Sequence, residues 1–267
     1  MDGLLSINET TVRLVSFLGV LVVVATLEAF FPRRAVNSKR ARRWPNNIGI
    51  SIVNQFLVRL LVPVSAVALA VESSTRGWGL LNFVAWPVLV EILIAILLLD
   101  LVIYWQHRVF HLLSPLWRLH RMHHADLVFD VTTGIRFHPL SILISVAIKL
   151  AMVVLLGPSV IAVVLFEILL NATSLFNHSN LFVPLKIDKY LRLIVVTPDM
   201  HRVHHSTNTA EMNCNFGFNF PWWDRLFKTY RNAPGLDHAE MEIGLPEFRA
   251  DGESRLDRLL SQPFRDI

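Results

Sequence analysis

Residues 83–124 read FVAWPVLVEILIAILLLDLVIYWQHRVFHLLSPLWRLHRMHH. The first half is an apolar run of membrane-spanning length, with Glu91 and Asp100 inside it. The second half carries HxxxH at His107 and His111, then HxxHH at His120, His123 and His124. A bilayer core about 30 Å thick needs about 20 apolar residues in a helix. The stretch therefore predicts a transmembrane helix over 83–105 that delivers a histidine-rich segment to one face of the membrane.

The same rule applied outward gives spans at 12–31 and 48–71. The run 140–176 is too long for one crossing. Gly157-Pro158 splits it into a hairpin of 140–156 and 158–176. The expected fold is an all-α integral membrane bundle of about four to five transmembrane helices with a cytosolic, histidine-rich cap. We divide the chain into N-terminal spans (1–104), a di-metal region (105–230) that includes the hairpin, and a cytosolic C-terminal tail (231–267). The tail is expected to be loosely ordered after Pro246.

Composition agrees with a membrane class. Of the 267 residues 53% are hydrophobic and 17% charged, and the mean hydropathy is +0.48, too apolar for an ordinary soluble domain. The net charge of +4 does not point to nucleic acid, because six of the 25 basic residues lie between Arg33 and Arg43, directly after an apolar run. That placement suits an anionic membrane surface, and the positive-inside rule puts it in the cytoplasm. Alternating the spans from there brings 106–138 and everything after about residue 177 to the same, cytoplasmic, side. Such a layout fits a bacterial-type inner membrane or endoplasmic reticulum. Pro32-Arg33-Arg34 follows the first run where a signal peptide would carry small residues, so that run reads as a retained anchor. A single cysteine, Cys214, excludes an intrachain disulfide and a thiol-rich metal site.

Ten of the eleven histidines fall between positions 107 and 205. After the first two motifs, HxxHH returns at His201, His204 and His205, while His138 and His178 stand alone between the clusters. On a helix, positions i, i+3 and i+4 share a face. Adjacent residues diverge by about 100°, so the pair His123-His124 can serve two different ions. Eight motif imidazoles are too many for one ion and about right for two. Imidazole suits zinc, copper, iron and nickel alike. His138 is as readily an ordinary buried histidine as a ligand, and so to a lesser degree is His178. His238 lies in the tail with no partner motif.

At this point the chain resembles the fatty acid hydroxylase/sterol desaturase superfamily of membrane enzymes. The likeness covers residues 100–230. It runs through Asp100, Tyr104, His107-Arg108 and His111, then Leu116-Trp117, His120 and His123-His124. It continues with Arg136-x-His138-Pro139, Asn177-His178-Ser179, and Thr197-Pro198 before the last HxxHH. It ends in Trp223-Asp224-x-x-Phe227-x-Thr229-Tyr230. The resemblance implies two iron ions, molecular oxygen as co-substrate, and an external electron-donor protein. It makes the eight motif histidines metal ligands, and His138 and His178 match the extra ligands that relatives place between clusters. Some relatives carry a second histidine four residues from the one matching His178, where this chain has Ser174.

These readings imply hydroxylation or desaturation of a lipid C–H bond. A site just beneath apolar helices can take fatty acyl chains, sterol-like rings, ether lipids or carotenoids from the bilayer. Asp100 is the candidate catalytic carboxylate. It lies about two helical turns before His107 on nearly the same face, where it can accept a histidine N–H and fix its tautomer; alternatively it simply meets water at the interface. Asp199 and Asn177 are lesser candidates of that kind, and Glu91, Glu167 and Lys149 suggest pairing between helices. Rival readings are a transporter, whose sites tend to lie mid-membrane on broken helices, a haem electron carrier, and a non-catalytic multi-histidine metal-binding protein. A metalloprotease is excluded by the absence of HExxH.

Overall fold

The computed structural model describes residues 2–35 and 40–266, with side chains from residue 9 onward. Lys39 of the basic stretch lies outside the described residues. Those residues form helices and loops, with two isolated β-bridges and no strand. Five segments are long and apolar enough to cross a membrane.

The first is α1 (Asp2–Phe30). The second is broken: α2 (Arg40–Leu61) stops before Val62-Pro63, and α3 (Ala66–Arg76) restarts after Ser65, whose hydroxyl accepts the Ala68 N–H at 3.0 Å. The continuous span expected over 48–71 is thus interrupted. Proline lacks an amide hydrogen and clashes with the preceding turn, and Ser65 supplies a fresh N-cap.

The third, α4 (Val88–Leu112), outruns the expected 83–105 at its C-terminal end and so carries His107 and His111 itself. A short helix, α5 (Ser114–His124), follows at once. The hairpin is α6 (Pro139–Leu156) and α7 (Val160–Asn177). Gly157 turns the corner at φ +63°, and Gly79 and Asn82 pack against it so closely that a Cβ there would lie 2.3 Å from the Asn82 amide nitrogen. Side-chain oxygens cap the start of α7: Ser159 accepts from Ala162, and Glu91 of α4 accepts from the Ser159 N–H (2.9 Å) and hydroxyl (2.7 Å).

Helix α7 is the centre of the bundle and packs on α1, α3 and α4. Small and aromatic residues close these seams, with Ala95, Leu99, Ala162 and Phe166 buried together. The outward faces stay apolar and open, as at Val15, Val22, Leu60 and Leu89. Without water to exclude, such helices associate through close packing and interhelical polar contacts. The expected pairing of Lys149 with Glu167 is present, and Arg13 of α1 joins it.

The cap is built from short helices: α8 (Leu185–Leu191), α9 (Pro198–His204), α10 (Thr209–Met212), α11 (Trp222–Leu226) and α12 (Leu256–Ser261). Two expectations fail here. The tail beyond Pro246 is not loose: Leu259 is buried against Ile50 and Met122, and Arg118 and Arg121 hold the carbonyls of Gln262, Pro263 and Arg265. Most of the basic stretch is not a free surface patch either, Arg42 alone of its described basic residues being exposed. Arg33 pairs with Asp199 and Arg40 with Glu28. Arg34 holds the carbonyls of His238 and Met241. Arg43 is buried between Asp126 and Asp130. These guanidiniums staple the cap to the spans, because a buried carboxylate must find a donor.

Candidate metal centre

Nine histidines converge in two groups. His107, His111, His120, His124 and His204 form one; His123, His178, His201 and His205 form the other, and within each group the ligand atoms lie within 4.8 Å of one another. The two HxxHH motifs are used in opposite senses. In α5 the i, i+4 pair His120 and His124 enters the first group and His123 enters the second. In α9 and the residue that follows it, His201 and His205 enter the second group and His204 the first. The 100° divergence of adjacent helical residues thus sends each HH pair to both groups. His107 and His111, stacked at i, i+4 on α4, complete the first group; His178, at the C-terminal end of α7, completes the second.

Backbone carbonyls set the ring orientations. Nδ1 of His107 lies 2.9 Å from the Phe216 oxygen and Nδ1 of His204 lies 2.8 Å from that of Cys214. Nδ1 of His123 lies 3.1 Å from the Arg136 oxygen and Nδ1 of His178 lies 2.8 Å from that of Ser174. A carbonyl only accepts, so each Nδ1 carries the proton and each Nε2 is a bare lone pair. Yet His107 and His204 face each other Nε2 to Nε2 at 3.0 Å, and so do His123 and His178. Two lone pairs cannot hydrogen-bond. Protonation does not resolve the conflict, since burial drives His204 and His123 well below the usual imidazole pKa and His178 down to about 3. A cation between the rings does resolve it. Donors sharing an ion at about 2.1 Å sit about 3 Å apart as neighbours in its shell. Further buried ring nitrogens lack any partner: His120 Nε2, His124 Nδ1, His201 Nδ1 and both of His205. The residues therefore fit metal, two ions rather than one. The all-imidazole donor set does not select iron over zinc, copper or nickel.

His138 is not brought to either group. Its Nδ1 accepts the Leu140 N–H at 3.2 Å and its Nε2 donates to the Leu260 oxygen at 3.2 Å. It caps α6 with both nitrogens committed, and no lone pair is left for a metal. Asp100 is buried but makes no hydrogen bond to a histidine. It accepts from the Asn219 and Phe220 N–H groups at 3.2 and 3.3 Å and from Trp223 Nε1 at 2.8 Å. The tautomer-fixing role expected of Asp100 falls to the Phe216 carbonyl. Asp199 is held by Arg33 and Arg202. The Asn177 amide donates to the Phe218 oxygen at 2.9 Å.

Asp224 is the carboxylate that supports the histidines through one intermediary. Its oxygens accept the Phe216 N–H (2.8 Å), the Gly217 N–H (2.7 Å) and the Thr229 hydroxyl (2.7 Å). It thereby fixes the loop whose carbonyls orient His107 and His204, although burial pushes its own carboxyl up to about 6. The Trp223-Asp224 motif was the available sequence signal for it. The carbonyls of Arg136, Ser174, Cys214 and Phe216 had none, since every residue type offers the same oxygen.

A family model described as fatty acid hydroxylase matches residues 92–229, just over half of the chain. The ornithine lipid hydroxylase OlsE of Rhizobium tropici is 27% identical over 235 residues, covering 86% of this chain and 70% of that protein. The alkylglycerol monooxygenase of Danio rerio is 33% identical over 145 residues, covering 54% of this chain but only 31% of that protein. A very-long-chain aldehyde decarbonylase of Oryza sativa, GL1-11, is 27% identical over 159 residues, 58% of this chain and 59% of that protein. No solved structure matches.

Proposed function

The chain belongs to the fatty acid hydroxylase family, an oxidoreductase lineage, and from that premise we propose that it oxidises a C–H bond of a membrane lipid with O2. The nine converging histidines would hold two irons, and a separate donor protein would supply the electrons. The observation that carries this reading is the pairing of bare Nε2 lone pairs at 3.0 Å in both groups, which a cation between the rings would satisfy.

When bound, the iron pair supplies the redox chemistry, activation of O2 and oxidation of an unactivated C–H bond. The chain's own residues do the rest. The four carbonyl-anchored imidazoles present fixed lone pairs, so their rings need not reorganise during turnover. His107 and His111 lie near the end of α4, and His178 ends α7. The site therefore sits where these spans leave the bilayer, within reach of a lipid that never crosses water. Burial of the histidines keeps bulk water from the reacting centre.

The product is an alcohol or an alkene, and the substrate is an acyl- or alkyl-bearing lipid. The relatives named for ornithine lipid and alkylglycerol make aminoacyl lipids and ether lipids the first compounds to assay. The positive-inside rule, applied to the Arg33–Arg43 stretch, favours a site on the cytoplasmic side.

Metal content per chain, measured on detergent-purified protein with Mössbauer spectra of an iron-loaded sample, tests the reading. About two coupled irons per chain, together with lipid turnover on reduction in air, is the expected result. One metal or none, a haem spectrum, or two metals with no turnover of any lipid would leave a metal-binding membrane protein instead.

A further inference from the structure

The stretch 181–232 combines an apolar surface with a one-signed charge. Leu185, Ile187, Tyr190, Leu193, Ile194 and Leu226 are each more than half exposed. Among them stand exposed Lys186, Lys189, Arg225 and Lys228. The four acids of the stretch are all turned inward: Asp188, Asp199, Glu211 and Asp224 are at most 3% exposed. The outward charge is therefore purely positive.

This surface is one continuous collar, tied at both ends to the spans. At one end the Phe182 N–H donates to the Phe31 carbonyl at 2.8 Å, just past the end of α1. In the middle, Trp222 Nε1 donates to the Leu193 carbonyl at 2.7 Å and Arg225 to that of Arg192 at 3.1 Å. At the other end Phe227 packs on Tyr104 and Trp105 of α4, with ring centroids 5.4 and 4.9 Å apart. Trp105 lies about 10 Å before the end of α4 along its axis, and Asp100, which holds residues 219–223, about 18 Å before it. The collar thus lies beside the cap-side ends of the spans, not beyond them. Non-helical backbone at that depth needs internal partners, and Asp100 supplies them.

We propose that this collar is embedded in the headgroup layer of the leaflet that α4 and α7 enter, and that its partner is an anionic lipid surface. The apolar side chains enter the acyl boundary while the lysines meet phosphate, as at other interfacial elements. Most of the Arg33–Arg43 stretch does not do this: Arg33, Arg34, Arg40 and Arg43 are engaged within the protein, and Arg42 alone of its described basic residues is exposed. The inference needs the spans, and is independent of the chemistry proposed above.

The test uses the full chain in vesicles, with bimane attached to Ile194→Cys or Leu226→Cys and labelled wild-type protein as the blank for Cys214. Val22→Cys in α1 reports the bilayer and Glu240→Cys the water. Quenching by nitroxide lipid is set against quenching by acrylamide. In phosphatidylglycerol-containing vesicles, the collar positions should be quenched by the lipid and spared by acrylamide. In pure phosphatidylcholine, or in the triple variant Lys186→Glu, Lys189→Glu, Lys228→Glu, the balance should shift toward acrylamide. Collar labels that behave like Glu240→Cys in both lipids overturn the proposal. So does protection from both quenchers, which would mean a second copy or another protein covers the face. Embedding indifferent to lipid charge and to the triple reversal overturns the anionic partner. A Val22→Cys label open to acrylamide overturns the spanning layout, and the collar with it.

Discussion

The two histidine groups are built from the same motif and fastened to different parts of the molecule. The five-histidine group hangs from the membrane helix α4 and from the loop Cys214–Phe216, which Asp224 holds. The four-histidine group hangs from the last turn of α7 and from the loop before α6, whose Arg136 carbonyl orients His123. That loop is itself locked to α2 by Arg43, between Asp126 and Asp130. Chemically alike donor sets thus depend on unrelated supports. A motif specifies which imidazoles meet; the backbone that holds them decides which group fails first.

Removing a ring from either group should have the largest effect. Loss of a residue that merely orients a ligand costs about 10–100-fold in metal affinity or activity. His204→Ala and His123→Ala should therefore each lower activity by more than about 100-fold and metal content by about half or more. Full metal and activity in either variant would remove that histidine from the centre. Next in size is Arg43→Ala, which removes the guanidinium between two buried carboxylates and should destabilise the protein by about 3–5 kcal/mol. Measured by thermal unfolding and metal retention, it should release the metal of the four-histidine group first. Asp224→Ala tests the opposite support. It should reduce activity by about 10–100-fold and disturb the five-histidine group alone, seen as a change in one of two Mössbauer components. Equal damage to both components in these two variants would erase the distinction between the supports.

His138→Ala should lose about 1–3 kcal/mol of stability, through the unsatisfied Leu140 N–H and Leu260 carbonyl, and keep its full metal content. The smallest effect concerns His238, outside both groups. Burial brings its pKa from 6.5 down to about 4, despite the nearby Asp199. The unfolded chain binds the proton more tightly, so this residue's contribution to stability is present above about 6.5 and is lost as pH falls from there toward 4. The denaturant midpoint of wild type should fall across that window more than that of His238→Gln, and the offset between the two should be constant above it.

Much of the site was legible because it is written in spacing. The i, i+3 and i+4 offsets and the divergence of adjacent residues hold for any helix, so the capacity of His123 and His124 to serve two different ions was readable from the motif alone. The number of spanning-length segments was legible for a similar reason: apolar length is a one-dimensional quantity. The break at Pro63 went unread because the apolar run continues across it. His138 and Asp100 were misjudged because contact partners distant in sequence claimed them. Leu260 took the one, and the backbone of residues 219–220 took the other.

The sequence by itself determined an all-helical membrane chain with eight imidazoles in three spaced motifs, since hydropathy and helical periodicity are local properties. Only the tertiary structure decided which nitrogen of each ring is free, which basic residues are staples, and where positive charge faces outward. Those outcomes turn on backbone carbonyls and buried carboxylates brought together from far along the chain. Every residue type offers the same carbonyl, so no residue name could have announced them.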